Sequence, residues 1–392
     1  MSSHESRARL RNARRVVVKV GTAVVAQRDG RLALGRMGAL VENLRALQVQ
    51  GRQVVLVTSG AVGLGSEALG FERKPTSVVD RQACAAAGQS SLMAFYDQLF
   101  SRLGGRCAQI LLTEDDFKIR RRYVHLSATM ERLLELGVVP IVNENDVVST
   151  AEIAFYGPQV FGDNDRLSVL VASGLQADVL VVLTDVDGVY TGPPGTHGAE
   201  RISLYDPASE VVIGAGSAQG RGGMSSKLQS ARVGAQAGVD VVVANGHDPE
   251  VLARVFAGDD VGTVFPREGE LSGRQRWLAF ATAPVGRLRV NDGARVALLE
   301  NDASLLLPGI ESVEGDFQSG GVVSIIDGSG REIARGRCDR AARELSEMLG
   351  SGARTRPIVH RDQLVVLGGA SFEGDGLEVA SLSADDLGGR RS

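Results

Sequence analysis

Val16-Val17-Val18-Lys19-Val20-Gly21-Thr22 is the first strongly apolar run in this chain of 392 residues. Its β-branched valines favour a buried strand, and Gly21 indicates a sharp turn or a close approach at the end of that strand. A lysine within such a run is costly unless its ammonium group reaches an anion. We therefore predict that Lys19 meets a ligand at the carboxyl end of the strand.

Lysine is rare in the rest of the chain. Of the 43 lysine and arginine residues, only four are lysines: Lys19, Lys74, Lys118 and Lys227. A compact ammonium group and a planar guanidinium group do different work, so lysine in an arginine-rich chain is informative. We attribute Lys74 and Lys118 to chance. Lys227 follows the glycine cluster 220–223, and we predict that it is functional, as we do for Lys19.

Length, charge and cysteine content narrow the class of protein. A chain of 392 residues exceeds the usual size of one core and predicts two domains. The net charge of -4 provides no general attraction to nucleic acid or anionic lipid. The three cysteines are scattered, which argues against a disulfide framework or a zinc site. With no secretory signal and no membrane-length apolar run, we expect a soluble, cytoplasmic protein.

Strands alternate with helices between Arg15 and Phe265, and this pattern predicts an α/β domain with a mainly parallel sheet covered on both faces. The strands predicted after the first are Val54–Val57, Cys107–Leu112, Val138–Val142, Val179–Leu183 and Val239–Val243. The predicted helices are Gly35–Gln50, Asp80–Leu103, Arg120–Leu136, Arg166–Ser173, Ser225–Ala237 and Pro249–Phe256.

The pattern changes after this domain. Short strands between turns are predicted at 285–290, 294–299, 321–326 and 363–367. We therefore assign residues 1–270 to the α/β domain, 271–285 to a linker, and 286–370 to a small β-rich domain. Residues 371–392 are rich in Gly, Ser and Asp and are predicted to form a disordered tail.

Polar residues follow several predicted strands, at the edge of an α/β sheet where ligands bind. They are Thr58-Ser59-Gly60, Asn143-Glu144-Asn145-Asp146 and Thr184-Asp185-Val186-Asp187. Ser59 is equally compatible with a helix cap, and the asparagines and aspartates with turns. Asp163-Asn164-Asp165 precede a predicted helix, but they exceed what one cap requires. We weigh a functional role for them ahead of capping.

The glycine cluster 220–223 opens the predicted helix that carries Lys227. Free backbone amides and the helix dipole make such a terminus suited to phosphate, although the Walker A order of residues is absent. Two lysines and separate phosphate-binding elements indicate phosphoryl transfer by charge neutralisation. The five histidines lie outside the predicted site, which leaves no obvious general base. A carboxylate acceptor, with a pKa of about 4.3, needs none.

Seven segments in order resemble the motifs of the glutamate 5-kinases, a branch of the amino acid kinase family that often carries a C-terminal PUA domain. The resemblance covers roughly Arg14 to Leu367 and implies a three-layer sandwich with a mainly parallel central sheet, followed by a PUA domain. The segments are Val18–Thr22, Thr58–Ala61, Gly88-Gln89-Ser90, Asn143–Asp146, Gly162–Asp165, Thr184–Tyr190 and Gly222–Lys227.

The resemblance implies a role for each matching residue. Lys19 and Lys227 would neutralise the transferring phosphoryl group, and Asp165 would hold the lysines in place. Glutamate would be bound by Ser59, Asp146 and Asn164. ATP would be held by Lys19, Thr184, Asp185, Arg221, Gly222, Gly223, Met224, Ser225, Ser226 and Lys227. Mg²⁺ would bridge the ATP phosphates, and no protein side chain is assigned to it.

The implied activity is ATP-dependent formation of L-glutamyl 5-phosphate, the first step of proline biosynthesis, with feedback inhibition by proline. The implied assembly is a homodimer or homotetramer. Arg221 stands where relatives usually have Thr or Ser, the segment Ala154–Phe161 is longer than in many relatives, and Leu306-Leu307-Pro308-Gly309 lacks a lysine often found before that glycine.

RNA is not expected as a partner, because residues 286–370 contain 11 arginines against 12 acidic residues. Two alternatives stay open. The first is another amino acid kinase, acting on N-acetylglutamate, carbamate, aspartate or a nucleoside monophosphate. The second is a non-catalytic amino-acid sensor or RNA-binding regulator that keeps the kinase scaffold. Intact Lys19, Asp165 and Lys227 argue against the second alternative.

Overall fold

A computed structural model describes most of the chain. The described residues are 3–27, 31–73, 75–149, 163–192, 196, 198–206, 224–268, 275, 278, 284–301, 303–349 and 356–367. The predicted tail, most of the predicted linker, the segment Ala154–Phe161 and the glycine cluster 220–223 lie outside these residues.

A seven-stranded sheet forms the centre of the first domain. Its strands are β1 (Arg15–Val20), β2 (Gln53–Val57), β3 (Cys107–Leu112), β4 (Val139–Glu144), β5 (Val179–Thr184), β6 (Asp240–Asn245) and β7 (Thr263–Phe265). Their order is β3-β4-β2-β1-β5-β6-β7, and all neighbours are parallel except β6 and β7. Because the chain departs from β1 toward β2 on one side and later returns at β5 on the other, a crevice opens at the carboxyl ends of these three strands.

Helices cover both faces of this sheet. They are α1 (Ser3–Arg11), α2 (Thr22–Val25), α3 (Leu34–Val49), α4 (Ala61–Ala68), α5 (Val78–Arg102), α6 (Glu114–Lys118), α7 (Arg120–Glu135), α8 (Asp163–Gly174), α9 (Met224–Gln236) and α10 (Val251–Ala257). Buried residues of α3, α5 and α10 form one apolar cluster, and those of α7, α8 and α9 form another. Within the described ranges, no helix is long and apolar enough to cross a membrane.

Side chains of β1 enter both clusters. Val16 and Val18 pack on the α3 side, whereas Val17 packs on the α8 side. This alternation follows from the two-residue period of a strand, and it explains why the run is apolar throughout. The predicted three-layer sandwich with a mainly parallel central sheet is confirmed.

A second sheet of five strands has its own core, and the predicted β-rich second domain is confirmed. The strands are β8 (Gly286–Val290), β9 (Ile310–Glu314), β10 (Val322–Ile326), β11 (Glu332–Arg337) and β12 (Leu364–Val366), in the order β12-β11-β10-β8-β9. The same region carries helices α11 (Asp292–Glu300) and α12 (Ala342–Met348).

The strand predicted at 294–299 is wrong, because these residues lie within α11. Asn291 caps the helix, and its side chain accepts a hydrogen bond of 2.9 Å from the amide of Ala294. Ala294 and Leu298, four residues apart, both pack on the second core, as one face of a helix requires. A short apolar run does not distinguish strand from helix by periodicity alone, and the cap decides the outcome here.

Helix α1 is a feature that the sequence analysis missed. Its residue Arg7 is buried and donates hydrogen bonds to the carbonyls of Asp259 (2.6 Å) and Val261 (3.0 Å). Arg7 also pairs with Asp260 at 2.6 Å. A helix of nine residues is not stable by itself in water, so these distant contacts determine that it forms.

Candidate active site

The crevice at the centre of the sheet gathers polar residues from several segments. Lys19 lies near the end of β1, with Val57 of β2 and Val182 of β5 as its neighbours across the sheet. The crevice is completed by the polar residues that follow β2 and β5 and by the first turn of α8. A Cβ atom at Gly21 would lie 3.6 Å from Lys19 Nζ. A side chain at this position would therefore be in van der Waals contact with the ammonium group.

One buried carboxylate lies between two lysines. Asp165 Oδ1 forms an ion pair with Lys19 Nζ, and Asp165 Oδ2 is 4.0 Å from Lys227 Nζ. The side chains of Asp165, Lys19 and Lys227 are only 2%, 6% and 14% exposed. By themselves, these two ammonium groups and one carboxylate carry a net positive charge in a place that excludes most water. Such a charge favours binding of an anion. The carboxylate of Asp185, which also acts on Lys227, is exposed to solvent.

The environment of Lys227 changes its acidity. Burial lowers its pKa most strongly, and the positive charge of Lys19 lowers it further. The carboxylates of Asp165 and Asp185 oppose this change and raise the pKa. The net direction is a lowered pKa, so the ammonium form of Lys227 is less favoured in the free protein than that of an exposed lysine.

Asn164 connects the start of α8 to the end of β2. Its Nδ2 lies within hydrogen-bond distance of three acceptors: the carbonyl of Thr58 (2.9 Å), Ser59 Oγ (2.8 Å) and Asn143 Oδ1 (3.2 Å). The amide has two hydrogens, so two of these acceptors share one of them. Ser59 does not cap α4: the cap residue is Gly60, and no side chain caps this helix. The helix-cap alternative for Ser59 is therefore wrong. Because Ser59 Oγ accepts from Asn164, its own hydrogen is available to another acceptor.

Asn143 continues this network into the protein. It is 2% exposed, and its Nδ2 donates to Gln89 Oε1 at 2.7 Å. This side chain therefore bonds to distant segments rather than to a local turn. Asp146 lies beyond the end of the same strand, half-buried in the wall of a small cleft together with Val62, Arg81, Gln82, Glu144 and Ser149.

The residues after β5 occupy the other side of Lys19. Thr184 is buried, and its Oγ1 donates to Asp185 Oδ1 at 3.0 Å. Asp185 is exposed. Asp187 Oδ1 accepts a hydrogen bond of 2.7 Å from Asn245 Nδ2, which ties the ends of β5 and β6 together. Asp187 thus has a structural partner, whereas Asp185 faces solvent close enough to Lys227 to influence its pKa.

The predicted phosphate loop is only partly described. Arg221, Gly222 and Gly223 lie outside the described residues, and helix α9 begins at Met224. Ser226 is buried, while Lys227 points to Asp165. The first turn of α9 therefore faces the same crevice as Lys19.

A magnesium ion needs few protein ligands at such a site. Among the residues with described positions, no group of three or more His, Cys, Asp or Glu side chains could hold a metal ion. Mg²⁺ typically binds through substrate phosphates, one or two carboxylates and water. The residues present therefore fit a magnesium ion that binds together with a nucleotide. The exposed carboxylate of Asp185 could serve as its protein ligand.

Two residues of α5 support this site, although the sequence pattern alone predicted no role for either. Gln89 bonds to Asn143, and the fully buried Tyr96 has its hydroxyl 2.8 Å from Thr58 Oγ1. Burial raises the pKa of Tyr96, which keeps its hydroxyl neutral. The two residues are seven positions apart, on one face of the helix. Polar side chains on the buried face of α5 were the signal that could have identified them.

A larger cavity, of about 190 Å³, lies elsewhere, between α3 and the loop after β6. Arg36 and Asn43 in its wall donate to the backbone carbonyls of Val24 (2.7 Å) and Pro249 (2.8 Å). These two polar groups are already engaged with the protein, whereas the crevice at Lys19 holds two lysines around one buried carboxylate.

Comparisons with known proteins agree with both domains. Residues 14–245 match the amino acid kinase family, and residues 286–358 match the PUA domain. A glutamate 5-kinase of Moorella thermoacetica is 44% identical over 385 residues, which cover 94% of this chain and 100% of that protein. A glutamate 5-kinase of Prochlorococcus marinus is 43% identical over 360 residues, or 89% of this chain and 98% of that protein.

Proposed function

The chain belongs to the amino acid kinase family, and we propose that it transfers the γ-phosphoryl group of ATP to the γ-carboxylate of L-glutamate. The observation that carries this proposal is the buried Asp165 between Lys19 and Lys227, next to an amide network that offers groups for an amino acid. The full-length similarity to proteins named glutamate 5-kinase supports the choice of substrate.

The lysines address the main electrostatic obstacle. The carboxylate of glutamate and the phosphates of ATP are both anions and repel each other until positive charge lies between them. Lys19 and Lys227 would supply that charge. Asp165 would fix the separation of the two ammonium groups, and its own charge leaves a net positive charge of one. Mg²⁺, when bound with ATP, would neutralise further charge on the phosphates.

The proposed reaction needs no general base. The γ-carboxylate is already ionised at neutral pH, so one of its oxygens attacks phosphorus directly. A new bond forms between that oxygen and phosphorus as the bond from phosphorus to ADP breaks. Negative charge is distributed over the three equatorial oxygens, and fixed positive groups favour this state over the separated reactants. The products would be L-glutamyl 5-phosphate and ADP.

The amide network would hold the other end of glutamate. Ser59 has a hydroxyl hydrogen available for the α-carboxylate, since its oxygen accepts from Asn164. Asn164 Oδ1 is buried and has no hydrogen-bond partner in the described structure, so it would accept from the α-ammonium group. Asp146 would add a negative charge for the same ammonium group.

L-Proline would compete for this end of the pocket. It carries the same carboxylate and a secondary ammonium group, but it has no γ-carboxylate to accept the phosphoryl group. We therefore include feedback inhibition by proline in the proposal, with the reaction as the first step of proline biosynthesis. Inhibition should be overcome by raising the concentration of glutamate.

Substrate choice can be tested by measuring ADP formation and trapping acyl phosphate with hydroxylamine. The acceptors to compare are L-glutamate, N-acetyl-L-glutamate, L-aspartate, carbamate and UMP, each with ATP and Mg²⁺. We expect L-glutamate to have the highest kcat/KM and its turnover to be suppressed by L-proline. A higher kcat/KM with any other acceptor would contradict the proposal.

The lowered pKa of Lys227 makes a second test possible. The kcat/KM for ATP reports ionisation in the free enzyme, and loss of the proton from Lys227 removes a positive charge that ATP needs. We expect this parameter to fall, as pH rises, at a lower pH than an ordinary lysine dictates. In Lys227→Arg the guanidinium stays charged, so the fall should move to higher pH. If kcat/KM for ATP falls at the same alkaline pH in both proteins, the charge on Lys227 is not what ATP binding requires.

A further inference from the structure

The amides of Gln89, Asn143 and Asn164 form a chain of hydrogen bonds with one direction. Asn164 Nδ2 donates to Asn143 Oδ1 at 3.2 Å, and Asn143 Nδ2 donates to Gln89 Oε1 at 2.7 Å. All three residues come from different elements: α8, β4 and α5. If the oxygen and nitrogen of any one of these amides exchanged places, two NH₂ groups or two oxygens would face each other.

A backbone carbonyl fixes the direction of this series of hydrogen bonds. Asn164 Nδ2 also donates to the carbonyl oxygen of Thr58 at 2.9 Å, and a carbonyl oxygen can only accept. If the amide of Asn164 were reversed, its Oδ1 would face that carbonyl oxygen at a repulsive distance. Thr58 itself is held from the other side, because the hydroxyl of Tyr96 lies 2.8 Å from its Oγ1.

Two buried atoms remain after these bonds are counted. Within the described ranges, Asn164 Oδ1 is an acceptor without a partner, and Gln89 Nε2 is a donor without one. Buried polar atoms of this kind are costly unless a ligand supplies the missing bond. The acceptor belongs to Asn164, beside Ser59 and next to Asp165 in the chain, so a ligand that offers hydrogen-bond donors would satisfy it.

We infer that Gln89 is a positioning residue that makes the pocket select an acceptor bearing a free ammonium group. Gln89 Oε1 holds Asn143 in the orientation in which its oxygen faces Asn164. Asn143 Oδ1 and the carbonyl of Thr58 together hold the NH₂ group of Asn164, so that Asn164 Oδ1 is presented to the ligand. The inference rests on the proposed function, and it adds the reason why the pocket distinguishes an amine from an unsubstituted carbon chain.

Gln89→Met tests the inference with two substrates that differ only in the amine. Glutarate has the γ-carboxylate of glutamate but no ammonium group. In the wild type we expect kcat/KM to be much higher for L-glutamate than for glutarate, because a site built to bond a polar group rejects an analogue that lacks it. In Gln89→Met, the ratio of kcat/KM for L-glutamate to kcat/KM for glutarate should fall about tenfold or more, since Asn143 loses its acceptor. The value for glutarate should change little.

Two further variants separate this role from a general effect on packing. In Gln89→Glu a carboxylate oxygen still accepts from Asn143, so we expect the ratio to stay within about threefold of the wild type. This variant also carries the test if Gln89→Met does not fold. Gln53→Met is the matched control: Gln53 Oε1 accepts from Arg15 Nε at 2.9 Å, at the opposite edge of the sheet. Its ratio should equal that of the wild type.

The outcomes are distinguishable. If the ratio is unchanged in folded Gln89→Met, the role of Gln89 is overturned and the proposed function is left intact. The same holds if the ratio falls as far in Gln89→Glu as in Gln89→Met. A wild type that phosphorylates neither compound would overturn the proposed function and this inference with it.

Discussion

Replacing Lys19 with methionine should lower kcat at least about a thousandfold while the protein stays folded. Methionine keeps the apolar stem of the side chain in the buried strand, but it removes the ammonium group that pairs with Asp165. Lys227, whose Nζ is 4.0 Å from the other oxygen of Asp165, would then be the remaining ammonium group. The Asp165 carboxylate would cancel that charge. The crevice would lose its net positive charge, and the two anionic reactants would repel each other.

Steady-state kinetics on Lys19→Met, with circular dichroism to establish folding, would measure this effect. Breaking a buried ion pair costs about 3–5 kcal/mol of unfolding free energy, so the assay should be run well below the unfolding temperature of the variant. Lys118→Met is the control, because we attribute Lys118 to chance. A kcat of Lys19→Met within tenfold of the wild type would remove Lys19 from the mechanism.

Replacing Asp165 with asparagine should also reduce kcat strongly, by about a hundredfold or more, but for a different reason. Asparagine has the same shape without the charge, so the ammonium groups of Lys19 and Lys227 would repel each other and move apart. Their charges would remain available to ATP. We therefore expect the KM for ATP to be unchanged or lower, in contrast to the kcat.

The kinetics of Asp165→Asn can be compared with its thermal stability. Without ATP, the unfolding temperature should fall, because two ammonium groups lose their buried counter-ion. ATP should restore more stability in this variant than in the wild type, since its phosphates replace that counter-ion. If Asp165→Asn lost both its kcat and its affinity for ATP, Asp165 would contribute to nucleotide binding, and the role proposed here for it would be wrong.

Much of the first domain could be predicted from the sequence because its strands are buried on both faces. The valine-rich β1 and β5 stand out as continuous apolar runs, and the glycines and polar residues that follow them indicate the sheet edge. The short strands β9 and β11 have charged residues among the apolar ones, so they were missed. Helix α1 was missed because its stability comes from Arg7 and its distant partners rather than from its own residues.

The site could be predicted in part. The isolated lysines and the order of the motifs were enough to single out Lys19, Asp165 and Lys227, and the structure brings these three together. The direction of the amide chain could not be predicted, because it depends on the carbonyl of Thr58 and on the rotation of α5 about its axis. A local sequence pattern predicts neither the position of that carbonyl nor the rotation of the helix. The contacts proposed for Arg221, Gly222 and Gly223 stay predictions.

The most direct test of phosphoryl transfer to a carboxylate uses L-glutamate labelled with oxygen-18 in both γ-carboxylate oxygens. Hydroxylamine attacks the carbonyl carbon of the acyl phosphate and releases phosphate together with the oxygen that had attacked phosphorus. We expect one oxygen-18 atom in each released phosphate, and none of this phosphate from Lys19→Met. Unlabelled phosphate from the wild type would rule out transfer to the γ-carboxylate, because the phosphoryl group would then have gone to water or to another acceptor.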